Sequence, residues 1–152
     1  MRITASRYHD ISAGHRVYQH ESKCAHLHGH NYRIHFEVEA MSGAANHLDS
    51  IGRVIDFSVI KAQLCMWLED NWDHKFLVWK DDPWAKMLCM LDEATVVVPF
   101  NPTAENMGAY LLFDVAPPLL APLGVTLVKV IVEETRKCSC TVTNEDRNSY
   151  EN

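Results

Sequence analysis

The chain has 152 residues, 47% hydrophobic and 22% charged, which suits one domain over 1–152 with its own core. A net charge of -6, without a clustered basic face, argues against a nucleic-acid partner. No apolar run approaches the ~20 residues of a membrane span and the first four residues lack a secretory signal's apolar segment, so a cytoplasmic protein with no membrane partner is expected.

Residues 3 to about 16 predict a first strand, and the alternation of residues 30–39 a second. Met41-Ser-Gly-Ala and Ser50-Ile-Gly52 mark a loop. From Asp56 the period becomes helical, with Phe57, Ile60, Leu64, Trp67 and Leu68 on one face and Asp56 or Ser58 as cap. Asp81-Asp82-Pro83 opens a second, short helical stretch, and Thr95-Val-Val-Val-Pro-Phe100 is a brief extended segment. Thr103 caps a helix running to about Val115, with Glu105 in its first turn and Pro117-Pro118 as its stop. Residues 124–134 form a third strand and 138–143 a fourth. This order predicts an α+β fold, a four-stranded antiparallel sheet with helices on one face.

Eight of the nine histidines lie between His9 and His47, three of them in Cys24-Ala-His-Leu-His-Gly-His-Asn-Tyr32. Strand alternation puts His28 and His30 on one side, a natural chelate. With His15 as third ligand the site has three imidazoles and an open fourth position, the arrangement of catalytic zinc. Cys24 lies close enough to fold over such a metal, either as a base with a lowered pKa or as a fourth ligand that closes the site. The five cysteines read as reduced thiols, Cys65 and Cys89 as core residues. Cys138-Ser-Cys140 lacks the two further ligands of a structural zinc. In a regular third strand Thr126, Val128, Val130, Val132 and Glu134 share one face while Leu127, Lys129, Ile131 and Glu133 share the other. Only one glutamate then enters a pocket, and Glu133 is free to pair with Lys129.

Cys24-x-x-x-His28-Gly-His30 with the upstream Ala-x-His15 resembles the signature of the 6-pyruvoyl- and 6-carboxy-tetrahydropterin synthase family. Val54-Ile-Asp56-Phe57, Trp72-Asp73-His74, Asn101-Pro-Thr103-Ala-Glu105-Asn106 and Val132-Glu-Glu134-Thr135 agree in the same order. The resemblance implies a tunnelling fold, in which subunit sheets join around a ring as a homo-oligomeric trimer or hexamer with helices outside. It implies Zn2+ on His15, His28 and His30, and a pterin triphosphate substrate, 7,8-dihydroneopterin triphosphate. Cys24 would abstract a proton, His74 oriented by Asp73 would act as second acid/base, and Glu134 would bind the 2-amino and ring N–H donors of the pterin.

Because adjacent side chains rarely aim at each other, Asp73 and His74 are expected to serve a neighbouring subunit's site. Thr103 is a candidate substrate contact, and Lys23 and Arg16 are candidates for the triphosphate, whereas parity turns Arg33 away from His28 and His30. The single thiol and the Asn101–Asn106 segment look like the bacterial 6-carboxy enzymes. The alternatives are the 6-pyruvoyl branch, which only eliminates triphosphate, and a non-catalytic zinc-binding module. Ile11 and the longer segment between Lys75 and Phe100 depart from the family pattern.

Overall fold

The computed structural model describes residues 2–41 and 48–144; residues 42–44 of the expected loop lie outside them. Six strands form one sheet: β1 (Ala5–His15), β2 (His28–Ala40), β3 (Phe76–Trp79), β4 (Val96–Val98), β5 (Val125–Glu133) and β6 (Ser139–Thr143), in the order β4-β3-β1-β2-β5-β6. The pairs β1/β2, β2/β5 and β5/β6 are antiparallel, while β3 runs parallel to both β1 and β4. The four-stranded antiparallel expectation is thereby corrected to a mixed sheet of six. The extended segment expected at 95–100 is β4, whereas β3, with four residues, is too short for alternation to reveal.

The β1/β2 ladder runs unbroken from Ala5↔Val38 to His15↔His28, which sets two predicted ligands opposite each other at its end. Along it Ile11, Ala13, His15, Tyr32, Ile34, Phe36 and Val38 are buried on one face. Each fully buried large side chain there contributes roughly 1.5–3 kcal/mol.

Two long helices cover this face. The first, α1, spans 57–71, with Asp56 accepting from the Ser58 N–H at 2.8 Å as its cap and a π turn at Lys61–Cys65 in the middle. It buries Ile60, Leu64, Cys65 and Leu68, whereas Phe57 is exposed instead of sharing that face. A short helix, α2 (Ala85–Leu91), follows β3. The second long helix, α3, spans 104–120, and Thr103 caps it by accepting from the Asn106 N–H at 3.1 Å.

Pro117 and Pro118 do not stop α3, contrary to expectation. The π turn at Leu111–Val115 widens the helix just before them, which relieves the bonding a proline cannot make. The even parity of β5 is also corrected. Glu37 pairs with Lys129 but Val38 with Leu127, so Val128 is an extra, bulged residue and the core face changes from Val130 and Val132 to Leu127 and Val125. Among the described residues no helix is long and apolar enough to cross a membrane.

Candidate metal centre and the cavities around it

His15, His28 and His30 come together as the sequence predicts, each offering a ring nitrogen within 4.8 Å of the others. Their hydrogen bonds decide which nitrogens face inward. His15 Nδ1 lies 2.6 Å from the Pro102 carbonyl and His28 Nδ1 lies 2.7 Å from the His26 carbonyl. A carbonyl only accepts, so both Nδ1 atoms carry the proton and, in neutral rings, both Nε2 atoms carry a lone pair. Those two Nε2 atoms are 3.0 Å apart, an acceptor facing an acceptor. His30 Nε2 is buried and has no hydrogen-bond partner, although the Glu134 carboxylate stands 3.3 Å away.

The facing lone pairs of His15 and His28, with only the Tyr32 hydroxyl at 3.3 Å from His15 Nε2 as a nearby donor and with the unpartnered His30 Nε2 beside them, form a site suited to a cation, and backbone carbonyls on the far side of the ring are the usual means of aiming metal-bound histidines. Burial favours the neutral form of His15 and His30. It pushes the His15 pKa down to about 4, helped by His28 and His30 and opposed by the Pro102 hydrogen bond. The His30 pKa is lowered by burial and by His28, against the raising effect of Glu134. Tyr32, next on the same face of β2, backs the cluster with its hydroxyl 3.3 Å from His15. Its place two residues beyond His30 was readable from the same alternation.

Cys24 sits on the loop between β1 and β2, which is tied down by the Val17 N–H donating to the Cys24 carbonyl at 2.7 Å. Among the described residues the three histidines alone form a group of at least three donors close enough to share a cation, so the Cys24 thiol stands outside it. Cys24 lines a cavity of about 240 Å³ with Thr103, Glu105, Glu134, Cys138 and Cys140. Both predicted substrate-contacting residues, Thr103 and Glu134, therefore share a cavity with the predicted base. Cys65 is buried, Cys89 is half-buried, and all five cysteines are free thiols.

Asp73 and His74 occupy another place. They line a larger cavity of about 820 Å³ with Asp10, Ser12, His30, Arg33, Glu133 and Glu134. Glu134 borders both cavities, while Cys24 and His74 do not meet. The expectation that the adjacent pair would not aim at each other is corrected: His74 Nδ1 is 2.8 Å from Asp73 Oδ2. His74 has a positive φ of 58°, which swings its ring back over its neighbour. The Asp73 carboxylate also accepts from the Ser12 N–H at 2.9 Å, and the His74 N–H donates to the Ser12 carbonyl at 2.7 Å. Burial raises the Asp73 pKa, but the Ser12 and His74 bonds outweigh it and hold the carboxyl below its usual range.

Two smaller expectations change and one holds. Arg16 is not available to a triphosphate, being buried in a two-bond pair with Asp82. Lys129 pairs with Glu37 at 3.0 Å, and Glu133 takes His35 as its partner. Arg33 does face away from the histidines, held by Asp10 at 2.8 Å.

The model of the family described as 6-pyruvoyl tetrahydropterin synthase matches residues 4–145. The chain belongs to this family. Among its relatives, a 6-carboxy-5,6,7,8-tetrahydropterin synthase of Rickettsia conorii is 32% identical over 140 residues, 90% of this chain and 96% of that one. A probable 6-carboxy-5,6,7,8-tetrahydropterin synthase of Halobacterium salinarum is 35% identical over 124 residues, 78% of this chain and 75% of its own length. The solved structure of Caenorhabditis elegans 6-pyruvoyl tetrahydropterin synthase has a TM-score of 0.63 at 27% identity, covering 95% of this chain and 99% of that one. An uncharacterised protein from Wolinella succinogenes shares the fold at a TM-score of 0.80 and 24% identity, covering 95% and 99%. The subunit fold is thus that of the tetrahydropterin synthase family, with six strands in its sheet.

Proposed function

We propose that this chain is a zinc-dependent 6-carboxy-5,6,7,8-tetrahydropterin synthase, a carbon–carbon lyase that converts 7,8-dihydroneopterin triphosphate and water to 6-carboxytetrahydropterin, acetaldehyde and triphosphate. The observation that carries the reading is the triad of inward-facing imidazole nitrogens on His15, His28 and His30. Names of relatives such as the Rickettsia conorii and Halobacterium salinarum proteins favour the 6-carboxy branch, whose product feeds 7-deazaguanine and queuosine synthesis. Three imidazoles suit zinc, and a zinc ion held there supplies Lewis acidity that makes C–H protons beside a substrate oxygen removable.

The protein's own groups do the rest. Cys24 takes a proton from the substrate side chain as a thiolate base. Asp73 holds the Nδ1 proton of His74 and so leaves Nε2 as the nitrogen that gives or receives a proton. With His30 as a ligand of the metal, the Glu134 carboxylate would be free to accept two parallel hydrogen bonds from the pterin's 2-amino and ring N–H groups. Thr103 borders the same cavity and offers its hydroxyl to the substrate while capping α3.

Since Cys24 and His74 line different cavities, we infer that a trimer, stacked as a hexamer, completes each site by bringing Asp73 and His74 of one subunit to the Cys24 cavity of another. Metal analysis with variants tests the roles. One zinc per subunit is expected, His28→Ala or His30→Ala should lose it without unfolding, and Cys24→Ala should keep it while losing turnover. Loss of zinc from folded Cys24→Ala would instead make Cys24 a fourth ligand and overturn its role as base.

A further inference from the structure

The segment between β3 and α2 has no part in the chemistry above, yet it contains the most deeply buried ion pair among the described residues. Arg16 and Asp82 are 6% and 4% exposed. Arg16 Nε donates to Asp82 Oδ2 at 2.5 Å and Nη2 to Asp82 Oδ1 at 2.7 Å, the fork-on-fork geometry in which arginine binds a carboxylate most strongly. The turn is itself braced, since the Trp84 N–H donates to the same Asp82 Oδ1 at 2.8 Å. The Trp84 ring then lies flat against the guanidinium, 3.6 Å from its carbon to the ring centroid.

One guanidinium N–H points elsewhere. Arg16 Nη1 donates to the carbonyl of Ala25 at 3.3 Å, the residue after Cys24 and within the short turn Lys23–Ala25 that carries the thiol. That turn has no side-chain cap and no buried residue of its own. Its anchors to the chain just after β1 are the Val17 N–H on the Cys24 carbonyl and the Arg16 guanidinium on the Ala25 carbonyl.

We propose that the Asp82–Trp84 turn is a positioning device for Cys24, acting through Arg16: it locks the guanidinium so that an Nη1 N–H clamps the Cys24 turn beside the histidine cluster. Asp82 and Trp84 are positioning residues, not catalytic ones. The chemistry of the clamp explains why an arginine is needed, because a lysine ammonium cannot span the Asp82 carboxylate and the Ala25 carbonyl at once while stacking on an indole. The inference rests on the proposed role of Cys24, but the placement of the Cys24 turn is measurable without turnover.

The test compares Asp82→Asn, Trp84→Leu and Arg16→Lys with the unaltered protein. Cys24 alkylation by iodoacetamide is followed by peptide mass, with the exposed Cys138 as internal reference. A released turn should change the Cys24 rate several-fold and leave the Cys138 rate unchanged. The metal should stay bound, and kcat should fall by about 10- to 100-fold with little change in KM, the cost of misplacing a reacting group by up to ~1 Å. Arg16→Lys should fail to rescue either readout. If Asp82→Asn does not fold, Trp84→Leu decides, since it removes only the stacking surface at a half-exposed rim. Folded variants with the original Cys24 alkylation rate would overturn the positioning role. An altered alkylation rate with turnover unchanged would support the clamp and count against Cys24 as the base.

Discussion

At the scale of single residues, the account depends on which ring nitrogens are protonated. His28 and His30 were legible as a chelating pair because alternation in a strand is a local rule. The long-range partners around them were not: His15 reaches a carbonyl 87 residues away and Arg16 a carboxylate 66 residues away, and no local pattern encodes such contacts. Neutral burial of His15 has a measurable consequence in the metal-free protein. Its folded pKa is about 4 against an ordinary 6.5, so between those values the unfolded chain binds the extra proton and stability rises with pH. The contribution is complete above the unfolded value and disappears as pH falls toward the folded one, on the order of 3 kcal/mol in all. Urea unfolding of chelator-treated protein should therefore weaken steadily from pH 7 to pH 5, above the range where carboxylates such as Asp82 titrate. A flat profile over that window would mean that His15 is not buried as a neutral ring.

The two adjacent glutamates give a second residue-scale prediction. Glu134 lies against His30 and borders both cavities, whereas Glu133 pairs with His35 and borders the larger one alone, so the expectation that a single glutamate enters a pocket is corrected. Glu134→Gln should weaken substrate binding by about 2 to 5 kcal/mol, the scale for breaking one side of a buried charge-assisted pair. Glu133→Gln should leave titrated affinity nearly unchanged. Equal losses would show that the register after the Val128 bulge is not as described.

Among elements, the long β1/β2 ladder and both covering helices were readable because each repeats its pattern over many residues. What escaped was short or irregular: the four-residue strand β3, the pairing of β4 into the sheet, the bulge in β5, and the π turn that lets two prolines continue α3. Such features depend on tertiary packing more than on periodicity. The glycine between His28 and His30 belongs to this scale too. A Cβ on Gly29 would stand 3.0 Å from the Ala13 carbonyl of β1, and a backbone atom within a ladder cannot swing aside. Gly29→Ala should accordingly cost about 1–3 kcal/mol of stability, the range for overpacking, read from the urea midpoint of the metal-free protein. An unchanged midpoint would mean that β1 and β2 approach less closely than described.

For the whole molecule, the sheet ends, among the described residues, in the edge strands β4 and β6, and natural proteins generally pair or cover such edges. Assembly into a ring would satisfy them and bring the separate cavities together. Mixing inactive Cys24→Ala with inactive His74→Ala under conditions that exchange subunits should then restore part of the activity, because some sites receive both intact groups. Confirmed exchange without recovery, or turnover by a folded monomer, would rule out a shared site. Incubating zinc-loaded protein with 7,8-dihydroneopterin triphosphate and identifying the products by mass decides whether the proposed reaction occurs. 6-Carboxytetrahydropterin should form together with acetaldehyde and triphosphate; triphosphate and a 6-pyruvoyl product without acetaldehyde would move the chain to the other branch, and untouched substrate would contradict the enzyme altogether.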